Sequence, residues 1–296
     1  MVQILSPIYP LSTTYNLCRS ANACSQRGKG GEAVVVVRYV KVRSLLSTTK
    51  LGADFVINPY VGCPHGCVYC YASCMRGAAE RGEPWGSYLD VKCPAAPFDL
   101  AKLYRKSVLF SSMTDAYNPY EERACVTRAL LRSLVPAQPD VVIITKSALV
   151  SRDVDIFREF PRVKVVFSFS STDDNFRRRA EPHAASPARK LAAMETLRGA
   201  GIEVGVMAAP IFPGITDCAK IIEACAPFVS SMTFDTLNLR AGNRDKILNF
   251  VKTLRPSLAP LYRRIYAEGD RAYWRELRAC IEADCGARGL KFSIFF

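Results

Sequence analysis

Three cysteines fall within one short run of this chain, Gly62-Cys63-Pro64-His65-Gly66-Cys67-Val68-Tyr69-Cys70-Tyr71-Ala72. Steps of four and then three residues put three thiolates on a single loop. Cysteine thiolates hold iron–sulfur clusters, normally four for a [4Fe–4S] cube. Three ligands leave one iron with an open coordination position, and an open position on a metal is where chemistry happens. The other chemistry these residues offer is a structural zinc site completed by His65 or Cys74. Zinc knuckles usually present ligands as two pairs, often C-x2-C with a distant second pair. No second pair exists here.

Something must position that loop, and a βα rhythm begins at Asp54. Apolar runs rich in Val, Ile or Phe predict strands at 55–59, 108–112, 141–145, 163–168, 204–208 and 232–237, each buried on both faces. Helical patterns lie between them at 121–134, 154–160, 187–198 and 217–226. Gly199 and Gly201 stop the third helix. This alternation predicts an α/β fold with parallel strands and right-handed crossovers. Six units predict a partial (β/α)6 barrel, more open than the eight-unit form. The expected division is an N-terminal extension over 1–50, the barrel over 51–241 and a helical segment over 242–296 packed on it. Residues 1–33 read as a loose lead-in, 32–45 as an accessory strand built on Val34-Val35-Val36-Val37, and 291–296 as a last strand. The cysteine loop follows the first barrel strand, which would place it at the strands' C-terminal mouth.

Polar residues collect at the other strand ends, in Ser111-Ser112-Met113-Thr114-Asp115, Thr145-Lys146-Ser147 and Ser168-Phe169-Ser170-Ser171-Thr172. Helix capping accounts for most of the hydroxyls. It does not account for Lys146, because a lysine at the buried end of an apolar strand needs an anion to offset desolvation.

Composition narrows the setting. Of 296 residues, 49% are hydrophobic, enough for a sizeable core without disulfide staples. The twelve cysteines are scattered, and no basic segment precedes an apolar run at the start, so reduced thiols and a cytoplasmic location are expected. No stretch approaches the ~18 apolar residues of a membrane span. A net charge of +13 favours polyanion partners. Arg177-Arg178-Arg179, the one tight basic run, reads equally as a solvated face or a phosphate contact.

Cys63-x3-Cys67-x2-Cys70, with Tyr69 before the last cysteine, resembles the radical S-adenosylmethionine superfamily. The fuller stretch from Asn58 to Ala72 is similar to its spore photoproduct lyase-like branch, and the likeness runs over approximately 50–240. The run Phe234-Asp235-Thr236-Leu237-Asn238-Leu239-Arg240 and the tail with Tyr273-Trp274 resemble uncharacterised bacterial members called radical SAM mobile-pair proteins.

The resemblance implies that Cys63, Cys67 and Cys70 hold a [4Fe–4S] cluster whose remaining iron chelates S-adenosylmethionine. One electron then cleaves the cofactor's C5′–S bond, and a 5′-deoxyadenosyl radical takes hydrogen from substrate. It implies that Thr114 and Asp115 meet the methionine end, Lys146 pairs with the carboxylate, and Ser168 reaches carboxylate or ribose. Ala209 would offer backbone to the adenine side, with Tyr69 packed on that face. Glu181-Pro182 matches a family signature, and the expected role for Glu181 is to hold Arg177 or Arg178. Cys74 is expected near the site without an iron bond, and His65 as a hydrogen-bonding loop residue. Spore photoproduct lyases carry a hydrogen-donor cysteine three residues before the aspartate that Asp115 matches. Ser112 stands there instead, so dimer repair is not inherited, and Cys125, Tyr117 and Tyr120 read as packing. The partners implied are a nucleic acid or nucleotide substrate, an electron donor such as flavodoxin or ferredoxin, and no membrane. The alternatives are a peptide or protein partner for the radical chemistry, or a non-catalytic iron–sulfur module.

Overall fold

The computed structural model describes residues 24–26, 35–239 and 242–296. Most of the expected lead-in lies outside them, as do Arg240 and Ala241. The chain opens with β1 (Cys24–Gln26) and β2 (Val35–Val42), then turns into β3 (Leu46–Thr48), β4 (Phe55–Ile57) and β5 (Tyr60–Val61). There follow β6 (Tyr88–Pro94), β7 (Ser107–Phe110), β8 (Asp140–Thr145), β9 (Arg162–Phe169), β10 (Glu203–Ile211), β11 (Ser231–Thr236) and β12 (Lys291–Ile294).

Eight of these form one sheet in the order β12-β11-β10-β9-β8-β7-β4-β3. Every pair from β4 to β12 is parallel, with Ser107 opposite Asp140, Val141 opposite Val163 and Val206 opposite Phe167. Only β3 runs antiparallel, on the edge beside β4. This is the expected α/β partial barrel. Its six expected strands are all present, and Lys291–Ile294 adds a seventh parallel strand. The reason lies in their composition. Val163, Val165 and Phe167 of β9, and Val204, Val206 and Ala208 of β10, are buried on one face, while Lys164, Val166 and Met207 on the other are half-buried.

A second, four-stranded sheet in the order β1-β2-β6-β5 was not expected. Within it β2 pairs with β6 in parallel, Val36 opposite Tyr88, and β6 pairs antiparallel with the two residues of β5. Its polar member hides it from a hydrophobicity reading: Asp90 of β6 is buried because Arg81 grips both of its carboxylate oxygens. The cysteine loop leaves β5 of this sheet, which itself follows β4 of the larger sheet by two residues.

The expected helix over 121–134 is two helices, Glu121–Ala124 and Val126–Leu134, broken at Cys125 with φ 51°. Glu121 explains the break. Its buried carboxylate accepts the N–H groups of Thr127 at 2.9 Å and Arg128 at 3.3 Å, capping the second helix. The helix Asp174–Ala180 was not foreseen, whereas Pro187–Gly199 and Cys218–Cys225 match expectation closely. Among the described residues, no helix is long and apolar enough to cross a membrane. Nine of the described cysteines are free, but Cys93 is disulfide-bonded, a departure from the all-reduced expectation.

Candidate functional site

The cysteine loop is a tight structure. Gly62 enters it at φ 82°, and a Cβ there would sit 2.5 Å from the Tyr88 carbonyl oxygen, so only glycine fits. Gly66 donates its N–H to the Cys63 carbonyl at 3.1 Å, and Cys70 donates to Cys67 at 3.2 Å. Val68 donates across to Ala180 at 3.0 Å, pinning the loop to the end of a helix after β9. All three thiols are free; Cys63 and Cys67 are buried and Cys70 is half-buried. Thr114 supports the entry, its hydroxyl donating to the Gly62 carbonyl at 2.8 Å.

Asp115 is the hub of the loop's attachment. One carboxylate oxygen accepts the Tyr117 N–H at 2.9 Å and the Thr145 hydroxyl at 2.8 Å. The other accepts the Lys146 N–H at 2.7 Å and lies 3.1 Å from His65 Nε2. Burial alone pushes this carboxyl up, but His65 and the donors from Lys146 and Thr145 outweigh it and hold it at about 2. The other nitrogen of His65, Nδ1, lies 2.9 Å from the His183 carbonyl. Both ring nitrogens are therefore engaged inside the protein, as a hydrogen-bonding loop residue requires.

Lys146 projects from the end of β8 with its Nζ donating to Ser168 Oγ at 2.9 Å. Ser168 in turn donates to the Ala209 carbonyl at 3.1 Å. This line joins the ends of β8, β9 and β10. Burial weakens the Lys146 ammonium, but Glu181, Cys67, Asp115 and Cys70 raise it well above the ordinary lysine value, so it stays charged. Its Nζ lies 5.8 Å from the ring centroid of Tyr69. Tyr69 packs edge-on to Phe212 at 5.5 Å and donates its hydroxyl to Glu181.

Glu181 corrects the sequence expectation. Arg177 does not bind its carboxylate but donates to backbone carbonyls of Glu181, Pro182 and Ala184. Arg178 pairs instead with Asp174. The fully buried Glu181 carboxylate accepts from Tyr69 and from Ser170 at 2.8 Å, with Lys190 Nζ 3.7 Å away. Burial acts to raise it, while Lys190 and Lys146 bring it below the ordinary glutamate value. Lys190 also donates to the Ser168 carbonyl at 2.8 Å. Sequence reading missed Lys190. The available signal was a charged residue on the inward face of an otherwise apolar helix stripe.

The remaining residues divide plainly. Ser112 is bound through Oγ and N–H to the Asn58 amide at 3.1 and 2.9 Å, and its carbonyl accepts the Tyr71 hydroxyl. Tyr117 donates to Asp153 at 3.0 Å, Tyr120 contacts the Tyr39 hydroxyl at 3.0 Å, and Cys125 lies against Arg152 at 3.6 Å. Those three serve packing. Cys74 ends a turn of 3-10 helix after Cys70 and abuts Gly242, where an added Cβ would meet its sulfur at 3.1 Å.

A model of the Radical SAM superfamily matches residues 57–225, more than half of the chain. The chain belongs to that superfamily. This radical SAM enzyme is 33% identical to an uncharacterized protein of Methanocaldococcus jannaschii over 208 residues, covering 70% of this chain and 80% of the relative. Its fold is similar to spore photoproduct lyase complexed with dinucleoside spore photoproduct, with TM-score 0.54 and 18% identity over 74% of this chain and 66% of that one. It is also similar to Streptococcus suis SuiB bound to S-adenosylmethionine, with TM-score 0.54 and 12% identity over 88% of this chain. This chain aligns with about half of SuiB, 52% of its length. Superfamily members use a [4Fe–4S] cluster and S-adenosylmethionine.

The donors in this chain fit that group. Burial pushes the Cys63 thiol up to about 12 and raises Cys67 and Cys70 as well, while the Lys146 ammonium pulls Cys67 and Cys70 back down. Buried thiols of this kind ionise when a metal centre supplies positive charge. Of the two residues that could complete a zinc site, His65 is committed on both sides and Cys74 is a free thiol.

Proposed function

We propose that Cys63, Cys67 and Cys70 hold a [4Fe–4S] cluster with one iron left for S-adenosylmethionine, and that the enzyme takes hydrogen from a nucleic acid or nucleotide. The observation that carries this reading is the placement of three unbonded thiols and the Lys146 ammonium at one end of the parallel sheet. When bound, cluster and cofactor together supply a 5′-deoxyadenosyl radical by one-electron cleavage of the sulfonium.

The chain's own residues bind and orient. Lys146 pairs with the cofactor carboxylate, and the Ser168 hydroxyl beside it reaches carboxylate or ribose. Thr114 fixes the loop entry at the methionine end. Asp115 has its oxygens occupied by four donors, so it acts there by holding Lys146 and His65 in place. Tyr69, backed by Phe212 and held by Glu181, packs on the adenine side, where Ala209 offers backbone. The buried Phe212 ring and the half-buried Tyr69 also keep water from the reacting atoms. In this reading residues 51–241 are the catalytic unit, and the flanking segments complete its sheet with β3 and β12.

Two features support the substrate class: the net charge of +13 and a fold shared with a lyase complexed with a dinucleoside photoproduct. Ser112, tied to Asn58, separates the reading from lesion repair, since its O–H bond is too strong to quench a carbon radical as a thiol does. Reducing equivalents come from a flavodoxin or ferredoxin type of donor, and this reading takes the enzyme to be cytoplasmic. The test supplies reconstituted enzyme, S-adenosylmethionine and reductant with deuterated single-stranded DNA or RNA. Deuterium in the 5′-deoxyadenosine formed is the expected result. Cofactor cleavage with no deuterium from any nucleic acid contradicts the substrate class.

A further inference from the structure

A cavity of about 580 Å³ lies beside the aromatic chain that leads away from Tyr69, and its charged lining is mostly arginine. Phe176, Arg178 and Arg179 line it from the helix Asp174–Ala180, and Arg255 from beyond the helix Arg244–Leu254. Asp173 and Gly214 also line it, and they follow the C-terminal ends of β9 and β10. The cavity therefore shares the end of the sheet that carries the cysteine loop. Phe176 packs on Phe212 at 5.1 Å between ring centroids, and Phe212 packs on Tyr69 at 5.5 Å. Two ring contacts separate this cavity from the thiols.

Its charge is not balanced from within. Asp174 is divided between Arg177 at 2.9 Å and Arg178 at 3.6 Å. Asp173 caps its own helix through the N–H of Asn175 and is the one carboxylate in the lining, set against three arginines. Arg255 donates to the Leu254 carbonyl, and neither it nor Arg179 meets a carboxylate among the described residues. The lining therefore carries an excess of positive charge, and the forked N–H groups of its three guanidiniums match phosphate oxygens. The volume is within the ~300–1,000 Å³ range of ligand pockets.

We propose that this cavity holds a phosphodiester of a single-stranded oligonucleotide, placing a neighbouring nucleoside over the cysteine loop. The inference rests on the nucleic-acid reading above and gives that substrate a docking site.

Binding of a short labelled oligothymidylate to the reconstituted enzyme, followed by fluorescence anisotropy across a salt series, tests it. One variant is R178A/R179A/R255A. A charge-matched variant is R158A/R198A/R288A, three exposed arginines that precede the N-terminal ends of β9, β10 and β12 at the opposite end of the sheet. All six side chains are exposed, and iron content shows that both variants fold. The cavity variant should bind about thirtyfold more weakly, with a salt slope lower by about 2, and the control should stay within about threefold of wild type. Equal losses in the two variants, or no loss in the cavity variant, overturn the docking site and leave the nucleic-acid reading standing. Wild-type enzyme that binds no oligonucleotide at any salt overturns both.

Discussion

His65 and Asp115, fifty positions apart in the chain, meet at 3.1 Å between Nε2 and Oδ2, and this contact clamps the cysteine loop to the end of β8. The same carboxylate takes donors from Thr145 and Lys146 at that strand end. The cysteine loop and Lys146 are thus set by one buried acid rather than by separate supports.

Asp115→Ala should therefore damage stability and site together. Four donors lose their acceptor in a buried place, at a cost of about 3 kcal/mol. Chemical denaturation should show that loss, and iron uptake on reconstitution should fall with it. A variant with wild-type stability and iron content would mean that the clamp is idle.

The barrel was legible because its strands are short, apolar and separated by amphipathic helices; Val163, Val165 and Phe167 announce β9 without ambiguity. The three cysteines and Lys146 were legible for chemical reasons, since spacing and a charge at an apolar strand end need an explanation. Side-chain pairings that depend on how the chain turns between elements were not. Asp90 makes β6 look polar until Arg81 is seen beside it. Glu121 looks like one more residue of a continuous helix, yet it turns inward to start the next one. Glu181 was assigned to an arginine nearby in sequence, while its real partners, Tyr69 and Lys190, come from another loop and another helix.

Lys146→Ala should leave the cluster in place and weaken the cofactor. Loss of a charge-assisted contact to the cofactor carboxylate is expected to raise the S-adenosylmethionine dissociation constant about tenfold or more. Iron analysis and an equilibrium titration on the same sample separate the two effects. An unchanged dissociation constant removes Lys146 from the cofactor's partners.

Glu181→Gln should strand the Lys190 ammonium, which is fully buried against Phe169 with its Nζ 4.7 Å from the ring centroid. Breaking one side of a buried pair costs about 3–5 kcal/mol. Adding Lys190→Met to that variant should return part of the loss, because the uncompensated charge is then gone. Additive destabilisation in the double variant would show that the two residues do not act as a pair.

The most direct measurement is iron, acid-labile sulfide and 5′-deoxyadenosine on anaerobically reconstituted wild-type enzyme and Cys67→Ala, with S-adenosylmethionine and a strong reductant. Wild type should hold about four irons per chain and cleave the cofactor, and the variant should do neither. Zinc without sulfide in the wild type, or cofactor cleavage retained by Cys67→Ala, would contradict the account.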